Sequence, residues 1–211
     1  MAASINVAQP IIPYRVVDTM GAQAAVRRFQ EKAGQTFLIG TPVQIDVAGA
    51  TGFLIACPAM TSVATALIAG FSLEIGHNLA TSGVTPPGGA MQTAGAPQNQ
   101  PSAVIIPGGA WPFDGTLPGS CGVHLAADVN DFIGTEGGST TDADGTIAQA
   151  QFDNIYGLTK DLGNNYWYVD IDKATAATGA CVQIIGFIDP IGTLHGRVIF
   201  RVTHAAAQLR A

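Results

Sequence analysis

The sequence predicts an all-β fold, an antiparallel barrel or sandwich with long Gly/Pro-rich loops and an extended N-terminal arm. Short apolar runs alternate with turn residues along most of the chain, which is the spacing of strands in a meander or barrel. No stretch keeps a helical periodicity beyond about three turns. The 211 residues suffice for one domain or two small ones with a buried core.

Residues 1–33 form a segment of their own. An extended opening rich in proline and apolar residues, 10–14, precedes residues 22–32, which could make a short helix. We interpret the segment as an arm; the alternative is an ordinary first strand packed on the body. A body follows at 34–211, in one domain or in sections at 34–82, 83–122 and 123–211.

The section 34–82 holds apolar runs at 35–39, 42–47, 53–57 and 66–75, separated by Gly40, Gly49, Gly52 and Pro58. Each run is predicted to be a strand. A helix could compete only at 59–69, where Thr61, Val63 and Thr65 favour extended structure.

The section 83–122 is predicted to be a long loop excursion. Sixteen of its forty residues are Gly or Pro, and Asp114 is its one charged residue. Loops of this length are usually functional or disordered. The apolar pieces at 104–106 and 111–113 favour a loop held by packing, with Trp111 and Phe113 as candidate contacts between copies of the chain.

The section 123–211 returns to strands at 166–171, 181–188 and 197–203, predicted to form a terminal antiparallel meander. In the first run Trp167 and Val169 share one face, and Tyr166 and Tyr168 the other. The second run is nearly continuous in apolar residues, as in a strand buried on both faces. No internal repeat is evident.

Positive charge is almost absent from the middle of the chain. The 127 residues from 33 to 159 contain no Lys or Arg but nine carboxylates, and the formal net charge is −6. Because binding to a phosphate backbone requires several cations, this composition argues against a nucleic-acid surface.

A low charge content points to contacts with other proteins. Charged residues make up 11% of the chain, against about 25% in typical domains, which predicts an oligomer or lattice contact. No apolar window is long enough to span a membrane, and residues 1–10 lack the features of a secretory leader, so synthesis in a cytosol is expected.

Catalytic and metal-binding patterns are weak, and no enzyme, cofactor or metal is predicted. Cys57, Cys121 and Cys181 are odd in number and far apart, which favours buried thiols. The histidines are scattered, and a turn at 142–145 lacks the ligands of a calcium loop. Cys121 beside His124 matches no known nucleophile signature. Tyr166 or Tyr168 could stack on a sugar, which gives the alternative of a glycan-binding module.

Short segments resemble small head decoration, or cement, proteins of tailed bacteriophages. One group is Gly40-Thr41-Pro42-Val43, the turn to 53–56, Ile68-Ala69-Gly70 and the strand end at Glu74. A second group is similar to the closing portion of phage virion proteins and comprises 156–160, 166–170, 186–187 and 192–198. Together they cover about two-thirds of the chain.

The resemblance implies a β-rich, non-enzymatic virion protein, often a homotrimer, on the exterior of the capsid. Its implied partners are the major capsid protein and copies of itself, with no nucleic acid and no membrane. The predicted contacts with the coat or with other copies are Ile11, Ile12, Tyr14, Arg15, Arg27, Arg28, Trp111 and Phe113. The other candidates are a receptor-binding or fibre-associated module that grips glycans through Tyr166 or Tyr168, and a main coat subunit.

Overall fold

The computed structural model describes residues 7–15, 26–32, 35, 37–47, 49, 52–74, 76, 120–126, 130–141 and 145–209. These residues form eleven strands and three single-turn 3-10 helices, which confirms the predicted all-β class. The strands are β1 (Ile12–Arg15), β2 (Val26–Gln30), β3 (Pro42–Ile45), β4 (Leu54–Ala56), β5 (Gly70–Ser72), β6 (Ser120–Leu125), β7 (Asp131–Gly137), β8 (Ile155–Lys160), β9 (Trp167–Asp170), β10 (Val182–Phe187) and β11 (Arg197–Val202). The 3-10 turns are Val63–Thr65, Gln149–Gln151 and Ala176–Thr178.

Strands β7 to β11 close into a five-stranded barrel. Neighbours run antiparallel in the order β7-β11-β10-β8-β9, and a parallel pairing of β9 with β7 completes the ring. Strand β1 adds to the free half of the β7 edge, where Ile12 faces Ile133. The barrel interior holds Phe132, Leu158, Val169 and Phe200, each fully buried.

Strands β2 to β6 form a second five-stranded sheet in the order β2-β6-β5-β3-β4. A parallel bridge between Glu31 and Leu54 joins its first strand to its last, so this sheet also curls toward closure. Phe29, Val43, Leu54 and Val123 meet inside it. We call the β2–β6 unit the first barrel and the β7–β11 unit the second barrel.

The two barrels have the same topology. If the strands of each barrel are numbered one to five along the chain, their order around the ring is one, five, four, two, three in both barrels. The pairing of strand three with strand one, which closes the ring, is parallel in both. The residue pairs across neighbouring strands also correspond between the barrels. In the first barrel the pairs are Val26–His124, Val43–Gly70 and Ile45–Leu54. Their counterparts in the second barrel, in the same order, are Asp131–Arg201, Tyr156–Val182 and Leu158–Val169. The chain is therefore a structural tandem repeat, although its sequence predicts none.

One hydrophobic core joins the barrels. Phe71 on β5 of the first barrel lies against Phe132 and Phe200 of the second barrel, at ring-centroid distances of 4.5 Å and 5.9 Å. Met60 and Ile68 of the first unit are fully buried in the same cluster. The two units consequently share buried surface instead of being linked by chain alone.

The described strands do not follow the predicted division into an arm and sections. Residues 26–30 form a strand of the first barrel and not a helix, β1 belongs to the second barrel, and β6 crosses the predicted boundary at 122. The described parts of 1–33 are extended, as predicted, but they pair with the body as in the alternative interpretation. Of the predicted loop excursion at 83–122, residues 83–119 lie outside the described residues.

Three predictions about strands were also wrong. The described residues of 35–39 form no strand, although residues 42–45, 54–56 and 70–72 do. The predicted terminal meander requires β9, β10 and β11 to be neighbours in that order. In the sheet, however, β8 lies between β9 and β10. Strand β10 is not buried on both faces, since Gln183 is half-exposed between buried Val182 and Ile184, and residues 185–187 are half-exposed as well.

Candidate functional site

A row of isoleucines crosses the outer face of the second barrel. Ile12, Ile133 and Ile199 face one another on β1, β7 and β11, and Gly186 of β10 continues the row. Since Phe132 and Phe200 point into the barrel, the alternate residues Ile133 and Ile199 point outward. We call the outward residues Ile12, Ile133, Ile185 and Ile199 the isoleucine ladder.

A β-bulge completes the ladder on β10. The register shifts between Ile184 and Gly186, which places Ile185 in the bulge. A Cβ atom at Gly186 would lie 3.2 Å from Cδ1 of Ile199, so the glycine of β10 leaves room for the side chain of Ile199 from β11. Ile12 is 48% exposed, whereas Ile133, Ile185 and Ile199 are half-buried. The ladder is thus a flat apolar strip that water reaches.

Ion pairs flank the ladder on both sides. On one side Nη2 of Arg201 lies 2.7 Å from Oδ1 of Asp131, and on the other Nη2 of Arg197 lies 2.7 Å from Oδ1 of Asp189. Hydrogen bonds from Arg197 lower the pKa of Asp189 to about 2, so this pair stays ionised at neutral pH. Each flank is internally neutralised, and the face presents apolar surface with little net charge.

The predicted contact residues of β1 divide between this face and the core. Ile12 and Tyr14 are 48% and 55% exposed. The backbone of Arg15 lies opposite that of Asp131 in the pairing of β1 with β7. Ile11 is only 3% exposed and packs in the shared core, so in one copy of the chain it offers little surface to a partner. The alternation of the strand turns Ile11 inward where it turns Ile12 outward.

Arg27 and Arg28 belong to a different surface. Both lie on β2 of the first barrel, where Arg28 makes a bidentate pair with Glu74 at 2.8 Å and 3.0 Å. Arg27 is exposed and forms no ion pair with the described carboxylates. The predicted arm contacts are therefore not one continuous site. Trp111 and Phe113 lie outside the described residues.

The structure does not bring Tyr166 and Tyr168 together as a sugar-binding platform. Tyr168 is fully buried, and burial together with the carboxylate of Asp170 raises the pKa of its hydroxyl. Tyr166 is half-buried and packs beside it. Tyr168, one of the two alternatives for stacking on a sugar, presents no ring to solvent because all four residues of β9 are buried. The inner face of β9 packs in the barrel, and its outer face packs under residues such as Ala8.

The thiols are buried, as predicted from their spacing. Burial raises the pKa of Cys121 to about 12, and burial lowers the pKa of His124. These directions disfavour the thiolate and the imidazolium that an activated pair would need. Within the described residues, no group of three His, Cys, Asp or Glu side chains is placed to hold a metal ion.

Sequence reasoning missed three members of the ladder. On β11, Val198, Phe200 and Val202 are buried and the two arginines lie on the outward side, with Ile199 between them. An apolar residue at an outward strand position is the signal that could have identified it. Ile133 and Ile185 carried no such signal, because neither their strand pairing nor the bulge can be predicted from local sequence.

Comparison of the chain with protein-family models, curated proteins and solved structures gave no match. In the described part of the chain, no helix has the length and apolar character needed to cross a membrane.

Proposed function

We propose that the protein is a structural virion protein that binds the outside of a phage capsid at junctions between coat subunits and stabilises the shell. A protein that binds the assembled shell but not its dissociated subunits lowers the free energy of the shell by linkage. Its partners in this proposal are the major capsid protein and further copies of the chain, as a homotrimer made in the host cytoplasm.

The isoleucine ladder is the observation that carries this proposal. Fully buried interface cores are apolar and depleted of charge, and their rims are polar. The ladder has that arrangement, with Ile12, Ile133 and Ile199 in the centre and the pairs of Arg201 and Arg197 at the rim. Exposed Tyr14 adds an aromatic side chain of the kind enriched at interfaces.

Charge supports a protein partner over a nucleic acid. Of the basic side chains that the structure describes, those of Arg28, Lys32, Lys173, Arg197 and Arg201 are paired with carboxylates. Neutralised cations contribute little to binding a phosphate backbone. The net charge of −6 opposes such binding further.

Changing Ile199 to aspartate is expected to weaken binding of the purified protein to undecorated heads at least tenfold, or about 1.4 kcal/mol. The new carboxylate would be desolvated at the centre of the ladder, between two arginines that are already paired with Asp189 and Asp131. Occupancy is measured by co-sedimentation with heads of the phage that encodes the chain. Ile12→Asp, at a more exposed site, should act in the same direction.

Val47→Asp is the matched control, because Val47 is 70% exposed on the first barrel and lies off the ladder. Its occupancy should equal that of the unmodified protein. Equal occupancy of Ile199→Asp, with its fold verified by thermal unfolding, would remove the ladder from the proposal. Deletion of residues 2–28 is not a suitable test, because it removes β1 and half of β2 from their sheets.

The same preparations test the other candidate functions. Reproducible binding on a glycan array, lost on changing Tyr166, would favour a fibre-associated glycan-binding module. Assembly of the purified chain into closed shells would favour a main coat subunit. The proposal expects neither result, and it expects saturable binding to assembled heads.

A further inference from the structure

A cleft of about 300 Å³ lies between the two barrels, away from the isoleucine ladder. Phe37, Thr41 and Cys57 line it from the first barrel, and Lys160, Asn165 and Trp167 line it from the β8–β9 hairpin. Ligand pockets occur preferentially at the boundary between structural units and range upward from about 300 Å³. The volume therefore suits a ligand of roughly one ring.

The walls of the cleft are held by the fold. In the hairpin, the amide N–H of Asp161 donates to the carbonyl of Tyr166 at 2.7 Å, and that of Asn165 donates to the carbonyl of Asp161 at 2.9 Å. Between Leu38 and Thr41 of the opposite wall, Gly40 has a φ of +75° and lies so close to the backbone of Ile11 that a Cβ atom would overlap it. A ligand would enter a largely formed site.

The chemistry of the lining combines aromatic walls with one cation. Phe37 and Trp167 are 5% and 4% exposed, so both rings are held in place. Lys160 faces Trp167 across the β8–β9 ladder and is exposed. Unlike Lys32 and Lys173, it forms no ion pair with the described carboxylates. An available ammonium group beside apolar walls is complementary to an anion attached to an apolar body.

We propose that the cleft between the barrels binds a small cyclic carboxylate, with its ring against Trp167 and Phe37 and its carboxylate on Lys160. Asn165 at the rim supplies an amide that can donate to or accept from a ring substituent. A uronic acid and an aromatic acid share this chemistry, and the experiment separates them.

Glucuronate and benzoate are titrated into the full-length protein by isothermal calorimetry, with glucose as the neutral analogue of glucuronate. We expect one of the two acids to bind saturably with a Kd of about 1 mM or tighter, and glucose to bind at least tenfold more weakly. Binding of glucuronate alone identifies a sugar acid, and binding of benzoate alone identifies an aromatic acid.

Lys160→Met keeps the apolar stem and removes the charge, and it should weaken binding of the acid at least tenfold, whereas Lys160→Arg should retain it. Lys32→Met, which removes a paired lysine of the first barrel, should leave the affinity unchanged. Absence of saturable binding by both acids, or equal affinity in Lys160→Met, would overturn the proposal. Capsid occupancy of Lys160→Met is expected to be normal, so this test is independent of the ladder.

Discussion

Replacing Phe71 by alanine is expected to lower the free energy of unfolding by about 4 kcal/mol. The side chain is 1% exposed and lies between the barrels, with Phe132 at 4.5 Å and Phe200 at 5.9 Å between ring centroids. Truncation removes the transfer free energy of a phenyl ring and leaves a cavity that these packed neighbours cannot readily fill. Urea denaturation, followed by circular dichroism, measures the change.

Phe152→Ala is the matched control for this prediction. Phe152 is 48% exposed, and among the described residues its ring contact is with Phe187, at 6.4 Å between ring centroids, so a loss below about 1 kcal/mol is expected. Phe71→Leu, with a smaller cavity, keeps the effect measurable if the alanine variant fails to fold. A loss below 1 kcal/mol for Phe71→Ala would mean that the barrels do not depend on their shared core.

The position of Phe71 also shows how the repeated barrels differ. In the common register Phe71 matches Gln183, which lies half-exposed on the outer face of the second barrel. In the first barrel the side chain at this outward position packs against the second barrel, whereas in the second barrel the matching side chain is partly exposed to solvent. The two units therefore associate asymmetrically, and the isoleucine ladder occurs on the second barrel alone, since Arg28 and Gly122 occupy the matching places on the first.

The fold class and many strands could be predicted because they depend on local patterns. Residues 42–45, 54–56 and 197–202 alternate or end at glycine and proline, and these signals are sufficient for strands. By sequence, residues 22–32 could make a short helix, because the short apolar spacing at 26–30 is compatible with a helix or a strand. What makes them a strand is the pairing of Arg28 with Gly122, and contacts so distant along the chain leave no local signal.

The tandem repeat was hidden for a related reason. Backbone hydrogen bonds set the shared register, and many side chains can fill the same inward positions, such as Val43 and Tyr156 or Cys121 and Val198. When the strand positions of the two barrels are aligned by their shared register, Glu31 and Glu136 are the one pair of identical residues. Both glutamates are fully buried at the parallel closing pair of their barrel.

Glu136 should make the stability of the protein depend on pH. Its Oε1 accepts a hydrogen bond from Nε2 of Gln151 at 2.8 Å, and its buried Oε2 has no hydrogen-bond partner among the described residues. Burial raises the pKa of this carboxyl from 4.5 to about 7, and the bond from Gln151 opposes that rise. Between these two values the unfolded chain releases the proton and the folded chain retains it.

The free energy of unfolding is therefore expected to fall as pH rises from about 4.5 to 7, by up to about 3 kcal/mol from this group, and to change no further above pH 7. Glu136→Gln cannot ionise and should abolish this loss. At pH 8 it should be more stable than the unmodified protein by about 2 kcal/mol, because an unpartnered amide N–H offsets about 1 kcal/mol of the gain. Urea denaturation across pH 4 to 8 measures both effects.

Two further variants separate the carboxyl from general charge effects. Asp189→Asn should leave the slope between pH 5 and 8 unaltered, since the pKa of Asp189 is lowered to about 2 and this carboxyl stays ionised throughout that range. Gln151→Met removes the hydrogen bond that favours the ionised form of Glu136, so it should move the pH-dependent loss to higher pH. A slope that persists in Glu136→Gln would assign the titration to another group. If the pH dependence disappears in Glu136→Gln and moves to higher pH in Gln151→Met, the titrating group is Glu136, where β7 and β9 close the second barrel.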